Sequence, residues 1–185
     1  HQLHLEEQDL PHTEPILSKD GSSTLWAPDF DEHYHSIHGA LTESQHVFIQ
    51  AGLAEWLKES PSSNLHIFEM GLGTGLNTLL TFFYPHDKQI SYTSIEKYPL
   101  EESIWQSLNY AELLNKEDAK AIFQDIHQSE WSNWIQLSQN FQLKKERADL
   151  LTYEPTDKFD LVYFDAFAPS SQAYLWTEDV MTKIY

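Results

Sequence analysis

Apolar and polar positions along the chain follow two periods in turn, and the switches between them predict most of the elements. LHIFEM, at Leu65–Met70, is a short apolar run between Pro61-Ser62-Ser63-Asn64 and a glycine loop, which predicts a buried strand. ISYTSIE, at Ile90–Glu96, alternates and ends on an acid, and FDLVYF, at Phe159–Phe164, is the clearest buried strand. Gln142–Asp149 reads as a further strand despite its charged interior. Helical stretches lie between and after them, over Leu76–Tyr84, Glu101–Leu114, Ala119–Trp134 in pieces, and from Thr177 to Tyr185. Strands separated by helices imply parallel βαβ units, hence an α/β chain with a doubly wound, mostly parallel sheet.

The first third reads differently. ILSKDGSSTLWAP predicts two short strands around an Asp20-Gly21 turn. Thr42 with Gln45 makes a capping-box pattern that opens a helix from about Glu43 to Glu59, with Val47, Ala51, Ala54 and Leu57 as its apolar stripe and Phe48 beside it. The organisation expected is a flexible tail at 1–14, a β-hairpin and helix cap at 15–64, and a core at 65–185. FDLVYF belongs in the middle of such a sheet, paired on both sides. With a single helix after it, the strand becomes an apolar edge, so the chain reads as C-terminally incomplete unless something else covers that edge.

Composition bounds the function. At 185 residues the chain fits one domain, and 41% hydrophobic residues exclude general disorder. No apolar run approaches the roughly 18–20 residues that span a bilayer, and HQLHLEEQDLPHTEP lacks the apolar core of a signal peptide. No cysteine means no disulfide, no Cys-based zinc site and no thiol catalysis. A cytoplasmic location is expected. Eleven basic residues against 29 acidic ones leave a net charge of -18, which repels polyanions over most of the surface. A nucleic-acid partner needs a local basic patch. The one dense basic cluster, Lys144-Lys145-Glu146-Arg147, reads as a solvated strand end.

The candidate chemistry lies at strand ends. Glu69-Met70-Gly71-Leu72-Gly73-Thr74-Gly75 is E-x-G-x-G-x-G at a strand end, opening a helix. Glycines permit the sharp turn and a close backbone approach to a ligand. Dinucleotide binding requires G-x-G-x-x-G, and Leu76 stands where its third glycine belongs. An acid two residues ahead of the first glycine suits a cationic ligand, and the sulfonium and amino group of S-adenosylmethionine fit. Glu96 closes the next strand, where a carboxylate accepts ribose hydroxyls, and Asp149 is placed to meet adenine. The bland alternative is a tight strand–helix turn.

Asp165, in FDAFAP, sits at the carboxyl end of the best strand, in the crevice where doubly wound sheets bind ligands. The run resembles the Asp/Asn-Pro-Pro-aromatic loop of nitrogen methyltransferases. A carboxylate there accepts an amine hydrogen bond, orients the lone pair and receives the proton. Phe167 and Pro169 wall the pocket. Asp165 as the cap of a turn is the alternative. His33, His35 and His38, among Asp29, Asp31 and Glu32, match no zinc spacing, so no metal is expected. The tryptophans read as core or rim packing.

Three blocks in order, DGSSTLWAPDFDEHYHSIHGALTESQHVFIQAGL, FEMGLGTGLN and YFDAFAPSSQAYLWTEDVMTKIY, resemble the tRNA 5-methylaminomethyl-2-thiouridine methyltransferases. These form the methyltransferase half of the bifunctional MnmC enzymes, and the resemblance runs from about Pro15 to Tyr185. It implies a Rossmann-like, S-adenosylmethionine-dependent methyltransferase acting on the aminomethyl nitrogen of a wobble uridine in tRNA. Carried over by motif, Asp165 is the catalytic candidate. Glu69, Gly71, Gly73, Gly75, Asn77 and Glu96 line the cofactor site, and Tyr34, Ser36, His38 and Glu43 reach the substrate pocket. Family members continue with further strands, and the acidic balance here sits poorly with tRNA. No flavin-binding oxidase domain is present, so a separate or fused FAD-dependent oxidase acting upstream is the implied partner. The alternatives are a methyltransferase of a small amine or polyamine, which an acidic surface attracts, and an inactive cofactor-binding fragment.

Overall fold

The structure is a computed structural model whose described residues are 14–17, 23–27, 32–33, 39–155 and 157–164. Short β-prone runs form β1 (Glu14–Leu17), β2 (Ser23–Ala27) and β3 (Glu32–His33), an antiparallel three-stranded sheet in the order β1-β2-β3. Leu17 pairs with Ser23, and the Asp20-Gly21 turn itself lies outside the described residues.

A continuous helical rod follows, made of α1 (Ala40–Ser44), a π-helical run (Gln45–Ala54) and α2 (Glu55–Glu59). It starts three residues earlier than the capping-box pattern predicts. Gly39 is its N-cap and no side chain caps it, so Thr42 falls inside the first turn. The expected apolar stripe also moves. Ile49 and Leu53 are the buried residues of the π-helical run, and Val47 is 51% exposed. Bonds of i→i+5 type rotate successive side chains away from the positions that a 3.6-residue period assigns.

The main sheet is built from β4 (Asn64–Met70), β5 (Gln89–Ile95), β6 (Trp134–Ser138), β7 (Phe141–Glu146) and β8 (Leu161–Phe164). Its order is β6-β7-β5-β4-β8, parallel throughout except for β6. β6 has no counterpart among the expected strands: Trp134, where the expected helix ends, begins a strand that turns back at Asn140 to pair antiparallel with β7. Between β4 and β5 runs α3 (Leu76–Phe83). Between β5 and β6 run α4 (Glu102–Gln106), α5 (Tyr110–Leu114) and α6 (Ala119–Gln128). The expected single helix over Glu101–Leu114 is therefore broken at Ser107–Asn109.

The sheet has two unlike faces. Leu65, Ile67, Ile90, Tyr92, Phe141, Leu143 and Tyr163 share a large core with buried residues of the rod and of α3 to α6. The other face carries Phe68, Met70 and Ile95, packed by Leu150, Tyr153, Phe159, Val162 and Phe164. The described residues between β7 and β8, 147–155 and 157–160, are coil and turn rather than helix, and Leu150, Tyr153 and Phe159 among them pack on that face. This is the α/β, doubly wound, mostly parallel arrangement expected, with β8 bonded to β4 alone among the described residues. No helix among the described residues is long and apolar enough to cross a membrane.

Candidate functional site

β4 and β5 pair in register to their last residues, Met70 with Ile95, so the glycine loop and Glu96 leave the sheet side by side. Gly71, Gly73 and Gly75 have φ of 98°, 54° and 79°, a region L side chains avoid, which is why this turn needs glycine at alternate positions. The loop then folds onto its neighbour. The amides of Gly71 and Leu72 both donate to the Ile95 carbonyl, at 3.0 and 3.1 Å. Gly75 N–H donates to the Leu72 carbonyl, and Leu76 N–H to Thr74 Oγ1.

Glu96 fastens the arrangement. Its Oε1 accepts the Gly73 amide at 2.9 Å and its Oε2 the Tyr98 amide at 3.2 Å, with 6% of the residue exposed. Asp149 stands three residues beyond β7, not at its end as expected. Its Oδ2 accepts from Lys97 Nζ at 3.1 Å and its Oδ1 from the Leu151 amide at 3.0 Å. Glu96 and Asp149 thus share one rim through adjacent residues, Glu96 and Lys97.

Glu69, expected to line the cofactor site, lies inside the fold. It is wholly buried beneath the loop, where its Oε1 accepts the hydroxyls of Ser94 at 2.9 Å and Thr78 at 3.4 Å. Residues 65, 67 and 69 alternate onto the helix-covered face, so Glu69 follows Leu65 and Ile67 into the core. Cross-strand register sets it in a buried polar row across four strands: Lys145 on β7, Ser94 on β5, Glu69 on β4 and Tyr163 on β8. Thr81 donates to the Asn77 carbonyl at 2.7 Å, which leaves its oxygen to accept from Tyr163 Oη at 3.1 Å. Burial raises the Tyr163 hydroxyl above its ordinary pKa, and burial with the nearby Glu69 charge raises Tyr92. Both hydroxyls stay neutral.

Asn77 is 2% exposed in the first turn of α3, directly after the loop. Glu43 lies on the exposed side of α1. Asp165, Phe167, Pro169, Tyr34, Ser36 and His38 lie outside the described residues, as do the helix expected at Thr177–Tyr185 and the tail. The structure therefore gathers Glu69, Gly71, Gly73, Gly75, Asn77, Glu96 and Asp149 at one end of the sheet. Among the described residues no group of three His, Cys, Asp or Glu is placed to hold a metal ion.

Two residues given no role by sequence reasoning touch this site. His127 Nε2 reaches the Thr74 carbonyl at 2.8 Å, and Lys145 Nζ donates to the His127 carbonyl at 3.0 Å. Lys145 corrects the reading of its cluster as a solvated strand end: it is 1% exposed, and burial lowers its ammonium to about 8. One signal was present for His127, which directly follows the stripe Ala119, Ile122, Phe123 and Ile126 that α6 buries.

No protein-family model matches the chain. It is similar to a Leptospira interrogans protein named tRNA 5-methylaminomethyl-2-thiouridine biosynthesis bifunctional protein MnmC, 30% identical over 181 residues, covering 91% of this chain and 28% of that protein. The same name belongs to a Cupriavidus metallidurans relative, 30% identical over 187 residues, covering 92% of this chain and 27% of that one. The chain thus spans little more than a quarter of these curated relatives. The crystal structure of MNMC2 from Aquifex aeolicus matches with a TM-score of 0.72 at 24% identity, covering 95% of this chain and 56% of that one. That likeness bears on the fold. Sequence and fold agree: the chain is similar in sequence to one part of the longer MnmC proteins and in fold to MNMC2.

Proposed function

We propose that the carboxyl ends of β4 and β5 hold S-adenosylmethionine, and that the protein methylates the aminomethyl nitrogen of a wobble 2-thiouridine in tRNA. The state of the loop amides carries the choice of cofactor. Those of Gly71, Leu72, Gly73, Gly75 and Leu76 all donate within the protein. A dinucleotide diphosphate depends on such amides at a helix N-terminus, and these five are committed. Glu96 offers the opposite character. A carboxylate has about four lone-pair sites and takes donors only, which suits it to ribose hydroxyls.

S-adenosylmethionine, when bound, supplies a methyl group on a sulfonium. Glu96 would accept the ribose hydroxyls, Asp149 would border the adenine, and the glycine loop with Asn77 would close against the nucleoside. Glu69 supports the loop from below. Asp165, directly after β8, would accept the amine hydrogen bond and aim the nitrogen lone pair. On methyl transfer Asp165 would take the proton that the nitrogen gives up. Phe167 and Pro169 exclude water, while Tyr34, Ser36, His38 and Glu43 contact the base.

The relatives are named for biosynthesis of a uridine with a methylated aminomethyl nitrogen, which supports this acceptor. Their description as bifunctional supports a second activity upstream, which we assign to an FAD-dependent oxidase, fused or separate. A cytoplasmic setting follows from a tRNA substrate. The net charge of -18 favours a second acceptor, a small cationic amine or polyamine. Label transfer from methyl-labelled cofactor decides. Undermethylated tRNA should take the label, and Asp165→Ala should lose roughly 100-fold or more in turnover. Label on polyamine and not on tRNA overturns the acceptor, and no cofactor binding overturns the reading.

A further inference from the structure

Thr74 lies between two glycines held at positive φ, 54° at Gly73 and 79° at Gly75, so its peptide has little intrinsic preference for one orientation. What orients it is distant in sequence. The Thr74 carbonyl accepts from His127 Nε2 at 2.8 Å, across 53 positions. A carbonyl only accepts, so the imidazole carries its proton on Nε2.

The imidazole is itself held from several sides. Trp105 stacks on it at 5.0 Å between centroids and 4° between planes, and Phe123 meets it edge-on at 4.8 Å. Behind it, Lys145 Nζ donates to the His127 backbone carbonyl at 3.0 Å, one of the terminal carbonyls that α6 leaves without an intrahelical partner. Trp131 covers that ammonium at 4.6 Å. In front, Gly75 leaves the room the ring needs: a Cβ there would stand 2.9 Å from His127 Nε2. Burial lowers the His127 imidazole to about 4, with the Lys145 charge acting in the same direction, so the ring is neutral at physiological pH.

From this geometry we propose that His127 is the positioning residue of the glycine loop, fixing the Thr74 peptide for the cofactor while Lys145 anchors His127 from β7. The ligand in this statement rests on the S-adenosylmethionine reading. The contact does not.

Two substitutions separate the hydrogen bond from the ring. His127→Phe keeps an aromatic against Trp105 and removes the donor, and His127→Gln keeps a donor and removes the ring. Amide hydrogen exchange of residues 71–76 is compared with that of β4 and β5, and cofactor affinity is measured by calorimetry. His127→Phe should speed exchange in the loop alone and weaken cofactor binding on the order of ten-fold, with His127→Gln restoring much of both. Equal behaviour of the two variants, or exchange accelerated evenly through β4 and β5, overturns the proposal. If wild-type protein binds no cofactor while loop exchange still responds to His127→Phe, the cofactor reading fails and the contact stands. In the wild-type protein, nitrogen NMR should show the Nε2–H tautomer. The Nδ1–H tautomer overturns the contact without any variant.

Discussion

Gly73 and Glu96 meet across 23 positions: the amide of the loop's middle glycine donates to the carboxylate that closes β5, at 2.9 Å. One side chain therefore both shapes the loop and presents acceptors beside it. Glu96→Ala should raise the cofactor dissociation constant by roughly 10- to 100-fold, the scale of hydrogen bonds to a charged group. Glu96→Gln keeps one carbonyl acceptor and should cost less. Calorimetry on both variants checks this, and an unchanged constant for Glu96→Ala would remove it from the site.

Gly75→Ala adds a side chain at φ 79°, where the new Cβ would meet His127 Nε2 at 2.9 Å. The left-handed conformation costs about 1–2 kcal/mol, and displacing His127 costs more. In a His127→Ala background only the first part remains. Denaturant unfolding of the single and double variants should show that coupling, and additive effects would contradict the close approach.

Acid should loosen the fold through His127. Its folded value of about 4 lies below its ordinary 6.5, so between those values the unfolded chain binds the extra proton. The associated stability is complete above pH 6.5, amounts to about 3 kcal/mol at most, and is lost as pH falls through about 4. The charged group facing the ring is Lys145. Urea titrations across this range should show the loss in wild type and a flatter profile in His127→Phe.

Lys145 acts in the alkaline range. Its folded value of about 8 lies below its ordinary 10.5, so this residue makes stability rise with pH between the two. Lys145→Met should abolish that rise, as measured by urea unfolding at alkaline pH.

Glu69 is a buried carboxylate held by two hydroxyls, from Ser94 and Thr78. Glu69→Ala strands both donors and should destabilise the protein by about 2–4 kcal/mol. Cofactor affinity should fall only as far as the loop loosens, since the residue is 0% exposed. A large affinity loss with unchanged unfolding would restore Glu69 to direct ligand contact.

The strands on either side of the glycine loop were legible because their signals are local. Leu65–Met70 is an apolar run between turn residues, and it is observed as Asn64–Met70. The position of Glu96 was legible because it directly follows an alternating strand, observed as Gln89–Ile95. β6 was not: Ile135 and Leu137 alternate with Gln136 and Ser138, but the run is five residues long with none of them buried, and pairing with β7 defines it. The burial of Glu69 was not legible, since its direction depends on strand parity and on the hydroxyls of Ser94 and Thr78 that meet it. His127 and Lys145 act through contacts 53 and 18 residues distant, which no window along the chain contains.

The transverse row of Lys145, Ser94, Glu69 and Tyr163 has a consequence for how the sheet assembles. Apolar neighbours such as Ile67 and Tyr92 tolerate many alignments, because contact between them has no direction. The row does not. If β5 slid by one residue against β4, Ser94 would turn to the opposite face and Glu69 would lose its 2.9 Å donor at a fully buried position. Misaligned sheets are thereby penalised at a single level, directly beneath the loop. The chain checks its own alignment at the place where Met70 and Ile95 must end together for Gly73 to find Glu96.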